Sequence, residues 1–172
     1  GKPFPPATLA DFELLPGVVE GCRLLKDAGF LLIVATNQPD VGRGTQKREV
    51  VEAMHRELCQ MLPLDDIEVC YDGGGKPSEF LKPAPGMLLR AAQKWGVNLE
   101  QSFMVGDRWR DVDCGHAAGC TAIFLDCGYS EPLRDQPDFR VGNFSHAVSL
   151  ILARSEEHTS ELQSPYVISY AV

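Results

Sequence analysis

Three short polar segments follow apolar runs in this chain, and their residue types suit phosphate chemistry. They are Thr36-Asn37-Gln38, Lys82-Pro83 and Gly106-Asp107, the last followed four residues later by Asp111. A hydroxyl, an ammonium group and two carboxylates can together stabilise a phosphoryl group beside a metal ion. The three segments therefore predict a site for phosphate and Mg²⁺.

The elements that must carry these segments alternate along the chain. Buried strands are expected at Phe30 to Ala35, Ile67 to Tyr71, Ser102 to Val105 and Thr121 to Leu125. Helices are expected after Pro16, from a cap at Thr45 to about Met61, from Pro85 to Gly96 and from Arg110 to Ala118, and a last short strand and helix should end near Leu152. This alternation predicts an α/β fold with a doubly wound, Rossmann-like parallel sheet and helices on both faces. Ligands of such sheets bind beyond the carboxyl ends of the strands, where all three segments fall.

Each segment also has a structural explanation when it is taken alone. Thr36 could cap the next turn, Lys82 could be an ordinary solvated lysine, and Asp107 could cap a helix. The fixed order of all three favours the phosphate site.

Length and charge restrict the function classes. The 172 residues suit one domain, and they contain neither a secretory leader nor a run of 18 apolar residues, so a cytoplasmic protein without a membrane partner is expected. The formal charge of −8 disfavours a nucleic-acid surface, which needs a basic footprint. The expected partner is a small phosphorylated substrate, and the sequence leaves the oligomeric state open.

The six cysteines form no Cys-x-x-Cys pair, so buried or reduced thiols are expected rather than a disulfide framework. Cys114 and Cys120 flank His116, which could suggest a zinc site. Packing explains these positions better, because no fourth ligand is evident. No zinc is therefore expected.

The segments resemble the haloacid dehalogenase (HAD) superfamily of phosphatases, whose second, third and fourth motifs are Thr or Ser, Lys, and Gly-Asp-x-x-x-Asp. Within this superfamily, the sequence is most similar to subfamily IIIA, the branch with heptose-bisphosphate and histidinol-phosphate phosphatases. The residues that carry this similarity are Val34 to Gln38 with Arg43-Gly44, Lys82 to Met87, and Met104 to Asp107. The resemblance runs from about residue 1 to residue 152. The family's first motif, Asp-x-Asp-Gly on an apolar strand, does not occur in these residues.

The resemblance implies a two-step transfer through an aspartyl-phosphate, with catalytic roles for Lys82 and Thr36. The nucleophile would be an aspartate encoded upstream of Gly1, and a second aspartate two residues later would act as acid and base. Asp107 would bind Mg²⁺, and Asp111 would orient Lys82 or a metal-bound water.

Substrate binding is assigned on the same basis. The resemblance gives this role to Thr36, Asn37, Gln38, Arg43, Lys82 and Arg108. Arg43 and Arg108 are candidates to bind a second phosphate or a hydroxyl group of the substrate.

Two features depart from the family pattern. The stretch from Cys70 to Leu81 supplies one cysteine and no histidine where relatives carry a zinc loop. Leu81 stands where those relatives commonly have an arginine, which weakens the assignment of a heptose bisphosphate as substrate.

The predicted function is a Mg²⁺-dependent phosphomonoesterase acting on a small sugar phosphate such as a heptose bisphosphate. The alternatives are a histidinol-phosphate phosphatase, a catalytically dead relative, and a receiver-like phosphate-binding domain. A receiver domain should end its site at Lys-Pro, whereas this chain continues to Asp107 and Asp111.

Residues 154–172 are expected to differ in origin from residues 1–153, which form the predicted phosphatase core. Arg154 to Ser164 is the in-frame translation of a common sequencing-library adapter, and Ile168 to Val172 translates the adapter segment beyond the index. The alternative is a real polar tail in which Ser155 caps a short helix. We expect an adapter-derived tail without selected packing, and His158 is not expected to be a ligand.

The missing first motif has a structural consequence. In the family's sheet its strand lies at the centre, between the strands that begin at Phe30 and Ser102. Without that strand we expect a slot between these two strands, whose facing edges stay unpaired unless the N-terminal segment or the tail fills it. We also expect this chain to be inactive as a phosphatase, because it lacks the nucleophile.

Overall fold

A computed structural model describes residues 6–157 and 166–168. The strands in this part of the chain are β1 (Leu31–Asn37), β2 (Asp66–Cys70), β3 (Phe103–Gly106), β4 (Thr121–Leu125), β5 (Phe139–Val141) and β6 (Tyr166–Ile168). The helices are α1 (Val18–Asp27), α2 (Pro39–Gly42), α3 (Arg48–Met61), α4 (Gly86–Trp95), α5 (Trp109–Ala118) and α6 (Phe144–Glu157), with short 3-10 turns at Leu9–Asp11 and Leu99–Gln101.

The six strands form one sheet in the order β2-β1-β6-β3-β4-β5, and every neighbouring pair is parallel. Alternate residues of β1 point to opposite faces. Leu32 and Val34 join a core cluster with residues of α1 and α6, whereas Ile33 and Ala35 join a cluster with residues of α4 and α5. The sheet is thus covered on both faces, and the predicted doubly wound α/β class is confirmed.

Two helix boundaries differ from the prediction. Thr45 does not cap α3, which begins at Arg48 with Lys47 as its N-cap. The backbone N and the Oγ1 of Thr45 both donate to Asp40 O, at 2.9 and 3.2 Å, so Thr45 closes the turn that follows α2. The last helix continues past Leu152 to Glu157.

Part of the tail belongs to the described fold, although the sequence analysis left it out. Ser155 lies inside α6 and donates to Leu152 O at 2.9 Å, and the Arg154 guanidinium lies 5.0 Å from the Phe139 ring centroid. Strand β6 occupies the position between β1 and β3. The physical reason is that two facing strand edges present backbone groups that need partners, and an extended segment supplies them.

Several expectations fall outside the described residues. They concern residues 1–5 and the tail residues 158–165 and 169–172, including His158. Among the helices that are described, none combines the length and apolar character needed to cross a membrane. All six cysteines are free thiols, of which four are buried.

Candidate phosphate site

The three predicted segments meet at one cavity of about 400 Å³ at the carboxyl edge of the sheet. Thr36 and Asn37 come from the end of β1, Lys82 from the loop before α4, and Asp107 from the end of β3. The other polar side chains of the described lining are Gln38, Asp40, Arg43, His55, Arg108, Arg110 and Asp111. All the predicted site residues therefore line the same cavity.

A buried ion pair between Lys82 and Asp111 forms the centre of the site. Lys82 Nζ lies 2.7 Å from Asp111 Oδ1, and it also donates to Ala35 O at 2.8 Å. Lys82 is 7% exposed and Asp111 is 3% exposed, so water screens this pair weakly. The two acceptors fix the position of the ammonium group at the edge of the sheet.

Gly106 allows Asp111 to approach the end of β3. A Cβ atom at position 106 would lie 2.3 Å from Asp111 Cβ and 2.4 Å from its Cγ, which no side chain can tolerate without movement. The second carboxylate oxygen of Asp111 accepts from the backbone N of Arg108 at 3.1 Å. The Gly-Asp-x-x-x-Asp spacing thus folds the second carboxylate back onto the strand end that carries the first.

The amide side chain of Asn37 joins two of the segments. Asn37 Nδ2 donates to Lys82 O, and Lys82 N donates to Asn37 Oδ1, both at 3.0 Å. Gln38 Nε2 donates to Thr36 Oγ1 at 3.1 Å. The side chain of Asn37 therefore holds the lysine loop against the end of β1, a positioning contact that the sequence analysis did not assign.

Asp107 has the electrostatics of a cation ligand. It is 5% exposed, and burial together with the charge of Asp111 raises its pKa to about 6, whereas a hydrogen bond with Tyr129 acts in the opposite direction. A nearby cation would restore the ionised form. Mg²⁺ is commonly held by one or two carboxylates together with phosphate and water oxygens, so Asp107 beside Asp111 fits this ion.

Arg108 is held by a residue that the sequence analysis missed. Arg108 Nη2 donates to Glu131 Oε1 at 3.0 Å, and Arg108 Nε donates to the other oxygen of the same carboxylate. Trp109 Nε1 donates to Glu131 at 3.0 Å. No sequence pattern marks Glu131 or Tyr129, because both lie in the irregular stretch between β4 and β5.

Arg43, the other predicted arginine, also lines the cavity. Its Nε donates to Gly73 O at 2.8 Å, and its Nη1 lies 3.3 Å from Asp40 Oδ1. Arg43 therefore connects the turn after α2 to the glycine-rich loop at Gly73, Gly74 and Gly75.

The region considered for zinc has a different set of contacts. The ring nitrogens of His116 lie 3.0 Å from Asp135 Oδ2 and 3.1 Å from Asp138 Oδ2, and Cys114 Sγ donates to Ala84 O at 3.4 Å. Within the described residues, no group of three or more His, Cys, Asp or Glu side chains is arranged to hold a metal ion.

Comparison with known proteins places this site in a family. A family model described as HAD-hydrolase-like matches residues 80–147. A D-glycero-D-manno-heptose-1,7-bisphosphate 7-phosphatase of Thermosynechococcus vestitus is 31% identical over 166 residues, which cover 83% of this chain and 85% of that protein. The chain belongs to the HAD superfamily.

A second sequence relative and a solved structure are also similar to this chain. The heptose-bisphosphate 7-phosphatase of Pseudomonas aeruginosa is 32% identical over 126 residues, which cover 70% of this chain and 71% of that enzyme. A crystal structure of the D,D-heptose 1,7-bisphosphate phosphatase of B. bronchiseptica, complexed with magnesium and phosphate, matches with a TM-score of 0.74 at 24% identity over 86% of this chain and 88% of that one. The predicted family and phosphatase class are confirmed, and the fold agrees with that of the solved HAD protein.

Proposed function

We propose that this HAD chain is the core of a Mg²⁺-dependent phosphomonoesterase acting on a small sugar phosphate, with a heptose bisphosphate as the leading candidate. The observation that carries the proposal is the convergence of Thr36, Lys82, Asp107 and Asp111 in one cavity at the carboxyl ends of β1 and β3. The names of the sequence relatives support the substrate class.

The residues present suit particular parts of phosphoryl transfer. The Thr36 hydroxyl and the Asn37 backbone N–H are suited to hold the transferring oxygens, while the Lys82 ammonium offsets their negative charge. Asp111 holds Lys82 in place. Asp107 and Asp111 would hold Mg²⁺, directly or through water, and the ion would neutralise charge on the phosphoryl oxygens.

The reaction also needs a nucleophile, which we assign to an Asp-x-Asp strand that residues 1–172 do not contain. The first carboxylate would attack phosphorus and the substrate alcohol would leave with a proton from the second. Water activated by the second carboxylate would then release phosphate. The chain of 172 residues is accordingly expected to be inactive on its own.

The test compares this chain with a version extended upstream to include the native Asp-x-Asp codons. We expect phosphate release only from the extended version with Mg²⁺, and a higher kcat/KM for heptose 1,7-bisphosphate than for histidinol phosphate. Lys82→Ala in the extended version should cost ~2–4 kcal/mol of transition-state stabilisation. Glu52→Gln in the exposed Arg48–Glu52 pair on α3 is the matched control and should leave the rate unchanged. An inactive extended protein, or full activity of Lys82→Ala, would contradict the proposal.

A further inference from the structure

A cluster of charged and aromatic side chains joins the N-terminal end of α5 to the segment between β4 and β5. Glu131 accepts hydrogen bonds from Arg108 and from Trp109 Nε1, and its Oε1 lies 3.4 Å from Arg110 Nη1. The Arg134 guanidinium carbon lies 3.5 Å from the centroid of the Trp109 ring, and that of Arg110 lies 4.6 Å from the same centroid. Three arginines therefore surround one carboxylate and one aromatic ring.

The positive charge of this cluster exceeds its negative charge. Arg108 places two nitrogens on the two oxygens of Glu131, so these two charges are already matched. Within the part of the chain that the structure describes, Arg110 pairs with no carboxylate other than Glu131, and Arg134 pairs with none. Two guanidinium charges thus remain without a carboxylate of their own.

Arg110 differs in its hydrogen bonds from the other cations at the phosphate site. Four cationic side chains line the described cavity, namely Arg43, Lys82, Arg108 and Arg110. Lys82 pairs with the buried Asp111. Arg43 and Arg108 each use two guanidinium nitrogens in described hydrogen bonds, whereas Arg110 uses only Nη1. Arg110 therefore keeps the most donors available to a ligand in this cavity.

We propose that Arg110 is a specificity-determining residue that binds a second phosphate group of the substrate, with Arg134 adding positive charge beside the Trp109 ring. A guanidinium group that lies over an aromatic ring can keep the edge of its planar fork free for hydrogen bonds. The donors along that edge match two oxygens of one phosphate group. The site therefore favours a sugar bisphosphate over a sugar monophosphate.

Arg108 acts in this arrangement as a positioning residue. Its two contacts hold Glu131, and with it the segment after β4, against the end of α5 beside Arg110. The assignment of Arg110 rests on the proposed function only for the first phosphate, which Thr36 and Lys82 would hold. The two phosphates can therefore be tested separately.

The experiment measures equilibrium binding of two probes, fructose 1,6-bisphosphate and fructose 6-phosphate, to the full chain in the presence of Mg²⁺. By calorimetry we expect the bisphosphate to bind at least about tenfold more tightly, since hydrogen bonds to charged groups are worth about 1.5–3 kcal/mol. Trp95→Phe leaves Trp109 as the one tryptophan of the chain. In that background the bisphosphate alone should alter the tryptophan fluorescence.

Three variants locate the second phosphate. Arg110→Gln should lower the affinity for fructose 1,6-bisphosphate at least about tenfold and leave that for fructose 6-phosphate unchanged. Arg134→Gln should lower the bisphosphate affinity by a smaller factor, about threefold, because its charge is more exposed to water. The matched control is Arg48→Gln, which removes an exposed arginine 4.6 Å from the Tyr71 ring centroid and should change neither affinity.

The outcomes separate this subsite from the proposed function. Thr36→Val removes a hydroxyl at the first phosphate and should weaken both probes by the same factor. Equal affinities of the unaltered chain for the two probes, or equal losses for both in Arg110→Gln, would overturn the Arg110 subsite. A loss in Thr36→Val would then still support the proposed function.

The converse result is also decisive. Bisphosphate binding that depends on Arg110 and that Thr36→Val leaves unchanged would support the subsite and contradict the proposed function. If circular dichroism shows that Arg110→Gln does not fold, Arg134→Gln decides in its place, and an unchanged bisphosphate affinity in that variant would overturn the subsite.

Discussion

At the scale of single residues, the site depends on a lysine whose charge is buried and paired. Removing one partner of a buried ion pair leaves the other charge without compensation, and this typically costs about 3–5 kcal/mol. Asp111→Ala should therefore lower the free energy of unfolding by about 3–5 kcal/mol in urea titrations. The control is Glu52→Ala, which breaks the exposed pair with Arg48 and should cost less than about 1 kcal/mol. A loss from Asp111→Ala no larger than that of the control would show that the Lys82 charge is solvated.

Gly106 provides a second prediction at this scale. Gly106→Ala should displace Asp111, because the new methyl group would overlap its Cβ and Cγ, and overpacking of this kind costs about 1–3 kcal/mol. Gly75→Ala is the matched control, since no atom lies within 4 Å of the Cβ position at residue 75. Urea unfolding of both variants measures the difference. Equal stability of the two would mean that the end of β3 has room that the structure does not show.

At the scale of elements, His116 connects the last turn of α5 to the segment that precedes β5. Burial lowers the pKa of His116, but hydrogen bonds to Asp135 and Asp138 outweigh burial and raise the pKa above its ordinary value of 6.5. A raised pKa in the folded state means that the imidazolium form stabilises the fold. This contribution is complete below pH 6.5 and is lost as the pH rises through the folded-state pKa.

The free energies of unfolding of the wild type and of His116→Gln should therefore differ most at pH 5 to 6 and least at high pH. The measurement is the free energy of unfolding in urea at several pH values. Repeating it in an Asp135→Asn background should shrink the pH-dependent difference, because one of the two carboxylates is then neutral. A difference that grows with pH would contradict the prediction, because it would mean that the imidazolium form of His116 destabilises the fold.

The elements were also the level at which sequence reasoning worked best. Continuous apolar runs such as Phe30 to Ala35 predict strands buried on both faces, and β1 and β4 lie where these runs indicate. The order of Thr36, Lys82 and Asp107 predicted the cavity because parallel strands bring their carboxyl ends to one edge. Glu131 and Tyr129 could not be found in this way, since an irregular segment has no periodicity to place its side chains.

At the scale of the whole molecule, β6 joins two parts of the sheet. Strands β2 and β1 lie on one side of it, and β3, β4 and β5 lie on the other. The local composition of residues 166–168 did not predict this position, because the facing edges of β1 and β3 create it. The backbone groups along these edges can pair with any extended segment that reaches them.

The role of β6 makes the length of the tail a determinant of stability. The free energy of unfolding of a chain that stops after Glu157 should be about 2.5–7.5 kcal/mol lower than that of one that stops after Ile168, because the five residue pairs of β6 disappear and net hydrogen-bond contributions are about 0.5–1.5 kcal/mol each. The shorter chain should also aggregate more in sedimentation velocity, since two inner strand edges are exposed. Hydrogen exchange should increase at Ile33 and Phe103 in the shorter chain and remain slow in the longer one, whereas the amide of Leu32 donates to Asp65 Oδ2 and should not change. Equal stability and equal protection would show that residues 166–168 do not hold the two parts of the sheet together, and the tail would then be as dispensable as its adapter-like sequence suggests.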